Sequence, residues 1–117
     1  MITLLFSTIF LVNADCPKDV TIEAEPSLVL IENKTLTLRC TAQSHPPLTS
    51  VTWEKMANGK RETWKTPSFS LKSVSPSDSG LYRCKASNDI GTGDSEQVEV
   101  IVECEYTDAL MDEDLIL

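Results

Sequence analysis

From Asp19 onward the chain is a succession of short β-rich runs punctuated by turn residues, and no helical period persists beyond about two turns. Leu36, Leu38, Cys40 and Ala42 alternate strictly with their neighbours, which makes a strand with one face to bury. Val51 and Trp53, then Phe69, Leu71 and Val74, then Tyr82, Cys84 and Ala86, and finally Val98, Val100 and Val102 supply further inward sets. A strand of this kind hides one face only, so two layers must stack with their apolar faces together. An all-β, two-sheet antiparallel sandwich is expected.

The punctuation places the breaks. Val20 to Glu25 and Leu28 to Ile31 are divided by Pro26-Ser27, and because proline lacks a ladder donor this reads as a first strand broken at a sheet edge. Ser44 to Pro47 ends the next strand, Asn58-Gly59 marks a tight turn, and Glu62 to Thr66 forms a short edge strand. Ser75 to Gly80 makes a corner, and Asp89 to Asp94 is a hairpin loop. Gly91-Thr92-Gly93 belongs to that loop, since a dinucleotide fingerprint needs a third glycine and a helix opening after it.

At 117 residues there is room for one domain and not for two independent cores. Eighteen acidic side chains against ten basic give a formal charge of -8, which opposes contact with a phosphate backbone and excludes nucleic acid as a partner. Six of those acids lie in residues 103–117, which hold no base, so the body carries only -2. The chain thus divides into residues 1–14, a folded domain over 15–104, and an acidic tail over 105–117 that is expected to be disordered. Met1 to Val12 is an uncharged apolar run, and Val12 and Ala14 suit positions -3 and -1 of a cleavage after Ala14, so a signal peptide and secretion are expected.

Cys16, Cys40, Cys84 and Cys104 include no C-x-x-C pair, a usage that fits an oxidising compartment rather than a metal centre. His45 is the sole histidine and sits beside Pro46-Pro47, so neither a zinc set nor a Ser-His-Asp arrangement is available, and no metal or other cofactor is expected. Asn33-Lys34-Thr35 is a glycosylation sequon between two strand-like runs, which makes Asn33 a candidate modification site in a glycoprotein.

Cys40, Trp53 and the segment Asp78-Ser79-Gly80-Leu81-Tyr82-Arg83-Cys84 resemble the signature of an immunoglobulin domain. The resemblance implies that Cys40 and Cys84 bridge the sheets, that Trp53 packs on the bridge, and that Tyr82 bonds back to the corner that contains Asp78 and Gly80. A Cys spacing of 44 leaves little room for extra edge strands, which favours the I-set or C2-like type. Pro17 to Glu103 is also similar to domains of vascular cell adhesion molecules and related leukocyte adhesion receptors, through Pro17-Lys18-Asp19, Asn88-Asp89-Ile90-Gly91 and the run that follows. Such receptors present an acidic residue, in the loop after the strand that carries the signature Trp, to an integrin-held metal ion. The Ile-Asp-Ser-Pro motif of such receptors is absent, and Glu62 in Lys60-Arg61-Glu62-Thr63-Trp64 resembles instead the Glu-Thr core of intercellular adhesion molecules, with Arg61 replacing an aliphatic residue. Glu62 is the candidate integrin-binding acid, its carboxylate being a hard oxygen ligand.

Trp64 reads either as an exposed interface anchor or as packing beneath the connection that follows it. Arg83 and Lys85, with Glu54, Gln97 and Glu99, face away from the Cys84 side by parity, and both cross-strand charge pairing and a recognition face fit them. Cys16 and Cys104 begin and end the strand region, and a strand of about six to ten residues spans roughly 20 to 33 Å. A disulfide needs Cα atoms within about 7 Å, so these two are expected either to pair between molecules, as in a disulfide-linked dimer, or to be unpaired, their partners belonging to neighbouring domains. The function implied is non-enzymatic, extracellular protein binding in cell adhesion or immune recognition, to a partner such as a cell-surface integrin. A spacer domain of a longer ectodomain and a soluble decoy of a membrane-bound receptor are the alternatives.

Overall fold

Residues 14–105 are described by the structure, a computed structural model. The expected signal peptide and acidic tail therefore lie outside the described residues, apart from Ala14 and Glu105. In chain order the strands are β1 (Asp15–Glu25), β2 (Val29–Ile31), β3 (Leu36–His45), β4 (Ser50–Ala57), β5 (Lys60–Lys65), β6 (Ser68–Leu71), β7 (Gly80–Ser87), β8 (Thr92–Asp94) and β9 (Val98–Glu103), with a 3₁₀ turn at Pro76–Asp78. A three-stranded sheet runs β1-β3-β6, and the larger sheet runs β2-β9-β7-β4-β5 with β8 paired to β7. This is the all-β, two-layer sandwich that the alternation implies.

The inward sets meet between the layers. Leu36, Leu38 and Cys40 of β3 face Val51 and Trp53 of β4, Tyr82, Cys84 and Ala86 of β7, and Val100 and Val102 of β9, all buried. Ala42 is only half-buried, because β3 there has run past the centre of the core. The Cys40–Cys84 disulfide joins the two sheets with a Cα separation of 6.3 Å. Trp53 lies directly across from Cys84 in the β4–β7 register, fully buried, and its indole Nε1 donates to the Thr66 carbonyl at 2.8 Å. The buried Tyr82 sends its hydroxyl back to the Asp78 carbonyl at 2.6 Å, which fastens the corner before β7 to the core. Gly80 stands in that corner because a Cβ there would come within 2.9 Å of the Met56 carbonyl.

Asn58 and Gly59 both have positive φ, 52° and 76°, as the tight turn of a two-residue hairpin requires, and they reverse the chain between β4 and β5. As a result β5 starts at Lys60, two residues before the expected edge strand.

The first strand departs from expectation. β1 begins at Asp15 rather than Val20, pairing with β3 through irregular register around Lys18, where Asp19 has a φ of 53°. Beyond Pro26 the chain does not continue on the same edge but crosses to the larger sheet, where β2 lies parallel to β9 with Leu30 opposite Val102. Leu30 alone of the three β2 residues turns into the core, and the parallel pair is fastened by Ile101 N–H to the Leu28 carbonyl and Glu32 N–H to the Glu103 carbonyl, both 2.8 Å. The sandwich is thus antiparallel except for this one pairing among the described residues.

Candidate functional site

The outer face of the larger sheet is where side chains are free of the core. Strand parity sends Val98, Val100 and Val102 inward and leaves Glu99, Ile101 and Glu103 outside on β9. Next to them β2 presents Val29 and Ile31, the register partners of Ile101 and Glu103. On β7 the outward residues are Leu81, Arg83 and Lys85. Leu81 is paired with Glu99 on one side and Met56 on the other, and Met56 with Arg61 beyond it, so Glu99, Leu81, Met56 and Arg61 form one row across four strands. Val29, Ile31, Leu81 and Ile101 are each 38% to 50% exposed. Burying Leu30, Val100 and Val102 does not require apolar residues at these outward positions, and their gathering on one face makes it a candidate contact surface.

Charge is arranged around that apolar group. Glu54 of β4 sits almost fully covered, 8% exposed, where its Oε1 accepts from Arg83 Nη2 at 2.7 Å and its Oε2 lies 3.4 Å from Arg61 Nε. The Arg83 hydrogen bond, with the field of Arg61, Arg83 and Lys85, holds the Glu54 carboxyl below the usual carboxylate range despite its burial. Glu54 and Arg83 are thus a cross-strand charge pair, whereas Arg61, Lys85, Gln97 and Glu99 stay exposed on the face. The β4–β5 flank holds the Arg61 guanidinium and the Glu54 carboxylate, Arg83 and Lys85 lie on the central strand β7, and the β9 flank holds Glu99 and Glu103 without a base.

Glu62 lies elsewhere. Its register partner is Lys55, so it belongs to the inward-facing side of β5, at the open end of the sandwich. There, Lys55, Glu62, Trp64, Phe69, Asp78 and Tyr82 line an open recess of about 340 Å³. Trp64 is half-buried and meets Phe69 edge-on at 5.1 Å, while Phe69 meets Trp53 edge-on at 5.0 Å, so Trp64 is packing and not an exposed anchor. Burial, reinforced by the negative charges of Asp78 and Glu62, pushes the Tyr82 hydroxyl well above the usual phenol range. Glu62 itself is exposed.

Asn33 occupies the exposed turn between β2 and β3, with a φ of 70°, and its Oδ1 accepts from Ser73 Oγ at 3.3 Å. Cys16 and Cys104 are both free. Cys16 packs against Gly91 near the end of the sandwich where Asp15 meets His45, and Cys104 follows Glu103, the partner of Ile31, near the other end. Among the described residues no group of three His, Cys, Asp or Glu is placed to hold a metal ion, and no helix is long and apolar enough to cross a membrane.

Sequence reasoning missed two features here. The outward apolar positions on β2 were hidden because Val29-Leu30-Ile31 is apolar throughout and shows no alternation. Asn88 is buried and organises the β7–β8 turn, its Oδ1 accepting from Ile90 and Gly91 N–H and its Nδ2 donating to the Asp15 carbonyl at 2.8 Å. An asparagine directly before the Asp89 to Asp94 turn is the signal that was available.

A family model described as Immunoglobulin domain matches residues 19–102. Among curated proteins, the chain is 30% identical over 79 residues to B-cell receptor CD22 of Mus musculus, a match that covers 68% of this chain and 9% of the receptor. It is 27% identical over 88 residues to vascular cell adhesion protein 1 of Canis lupus familiaris, covering 74% of this chain and 12% of that protein. The chain therefore spans about a tenth of the length of these relatives. The same sandwich occurs in the ectodomain of mouse nectin-like molecule 4, with a TM-score of 0.61 and 22% identity over 76% of this chain and 31% of that one.

Proposed function

The chain belongs to the immunoglobulin domain family, and on that premise we propose that it is an extracellular binding module that acts in cell adhesion or immune recognition by protein–protein contact. The family and its fold are non-enzymatic adhesion and recognition modules. The observation that carries the reading is the outer face of the β2-β9-β7-β4-β5 sheet, where exposed Val29, Ile31, Leu81 and Ile101 are bordered by ordered charge. A pure spacer has no use for such a face. The Cys40–Cys84 bridge supports an oxidising, extracellular setting, and the exposed turn position of Asn33 supports its glycosylation there.

The test is binding of the secreted chain, captured on a surface, to leukocytes and endothelial cells. Binding that is lost on changing Leu81 and Ile101 to arginine supports the module. Equal binding by native and altered chains counts against this face, and no binding to any cell type favours the spacer.

A second reading concerns an integrin-type receptor. Glu62 is exposed at the mouth of the aromatic recess and has no ion-pair partner among the described residues, so its carboxylate is free to complete a partner's metal site. Magnesium-dependent cell adhesion that survives Glu62→Ala would dispose of that contact.

A further inference from the structure

We infer that the β4–β5 hairpin is a processing site, at which a serine endoprotease of trypsin-like specificity cuts the Arg61–Glu62 bond and leaves a two-chain domain held together by its disulfide. The inference does not depend on which protein the module binds.

Sequence and backbone point to the same bond. Lys60 and Arg61 are the only adjacent pair of bases in the chain, and they follow directly on the Asn58-Gly59 turn, with Lys60, Arg61, Glu62 and Thr63 all exposed. Exposed tips of this kind are where nicking concentrates. β5 is the last strand of the larger sheet and pairs with β4 alone among the described residues, so one of its edges is open. In a two-residue hairpin the residues on either side of the turn exchange both of their hydrogen bonds, and the exchange recurs at every second pair. Lys60, Glu62 and Trp64, opposite Ala57, Lys55 and Trp53, therefore turn their backbone groups toward β4, and Arg61 and Thr63 turn theirs to the open edge.

A serine endoprotease takes its substrate as an added strand, bonding to the residue before the scissile amide and to the residues two places away on either side of it. For a cut after Arg61 those residues are Gly59, Arg61 and Thr63. Arg61 and Thr63 are already presented, and Gly59, at a φ of 76°, has only to swing into an extended conformation. A glycine does so at little cost, and even a Cβ there would meet nothing within 4 Å. The Arg61 side chain, 62% exposed, leaves Glu54 to enter the pocket of the enzyme. Arg39, Lys55 and Lys85, by contrast, lie on strands paired on both sides.

Hydrolysis adds one water across the amide, so that Arg61 gains a carboxylate and Glu62 an α-ammonium, and the serine of the enzyme is restored when the acyl group leaves it. The cut lies inside the loop closed by Cys40 and Cys84, so the two pieces stay joined. Downstream, Trp64 still meets Phe69 edge-on at 5.1 Å and the Thr66 N–H still donates to the Val51 carbonyl at 3.0 Å. Upstream, Lys60 and Arg61 lose the strand that holds them, and Glu54 keeps Arg83 but not Arg61. Cleavage thus redraws the charge on the outer face without unfolding the core, and it sets a cation beside the Glu62 carboxylate.

The experiment is limited trypsin digestion of the secreted, oxidised chain in native buffer, followed by intact mass with and without reductant. The first product should weigh one water more than the untreated chain and should separate on reduction into pieces that end at Arg61 and begin at Glu62. Its rate should stay constant in urea well below the unfolding midpoint, because the hairpin opens locally. Lys60→Gln together with Arg61→Gln should slow loss of the intact chain at least about tenfold, and so should Thr63→Pro, which keeps both bases and the β4 ladder but removes a donor from the open edge. A first cut at another lysine or arginine, a rate that climbs with urea in step with global unfolding, or cutting of either variant at the native rate would each overturn the proposal.

Discussion

Replacing Tyr82 by phenylalanine removes a single oxygen from the centre of the fold. The ring stays, and with it the stacking on Phe69 at 6.4 Å and the edge contact with Trp64, so the change isolates the hydroxyl. That hydroxyl donates to the Asp78 carbonyl at 2.6 Å, and no other donor reaches this carbonyl among the described residues. Deleting the donor leaves a partly buried acceptor unpaired, which costs about 1 to 3 kcal/mol. For a domain of this size each kcal/mol lowers the melting temperature by about 4 to 8 °C. The same variant has a second signature. Burial favours the neutral phenol in the folded chain, so its contribution is fully present below the ordinary value of 10.0 and is lost as the pH rises beyond it. Tyr82→Phe should therefore be less stable than the native chain at neutral pH yet show a smaller further loss in alkaline solution. Urea unfolding of the oxidised chain at pH 7 and above pH 10 measures both. A stability change within about 0.5 kcal/mol at pH 7, or an unaltered alkaline slope, would refute the role given to this hydrogen bond.

Two further changes probe the layers and the charged face. Replacing both Cys40 and Cys84 by alanine releases a 44-residue loop, and the loop-entropy estimate puts the loss at about 4 kcal/mol; urea unfolding that detects less than about 1 kcal/mol would remove the bridge from the account of stability. Glu54→Gln should flatten the acid limb of the stability profile. The Glu54 carboxyl is held below its ordinary value of 4.5, so its contribution is present above that pH and is lost as the pH falls through the lowered folded value. Thermal melts between pH 7 and pH 3 that give native and variant chains the same slope would show that Arg83 and Arg61 do not stabilise the ionised form.

Wherever alternation is clean, the sequence is legible. Leu36, Leu38 and Cys40, and Tyr82, Cys84 and Ala86, show their buried faces by parity alone, and the Asn58-Gly59 pair announces its turn through its positive φ. Pro26 marks the end of β1 equally well, but it says nothing about which sheet the chain rejoins. That choice is made by Ile101 and Glu103, more than seventy residues later, through hydrogen bonds to Leu28 and Glu32. Glu54 and Arg83 are legible as outward charges, yet the near burial of Glu54 is not, because it depends on Arg61 and Arg83 arriving from the strands on either side of β4. Trp64 has two readings in the sequence, and only the position of Phe69 decides between them.

The parallel alignment of β2 with β9 bears on mechanical load. The chain enters near the end where Asp15 meets His45 and leaves after Glu103, beside Ile31 at the other end. Tension applied at Asp15 and Glu103 would first load β1 against β3 and, once β1 came away, draw β2 and β9 past each other along their length. Their hydrogen bonds then share the force and must yield together, whereas an antiparallel hairpin pulled from its open end unzips bond by bond. Even after that pair slipped, the Cys40–Cys84 bridge would keep 44 residues of contour out of the extended tether.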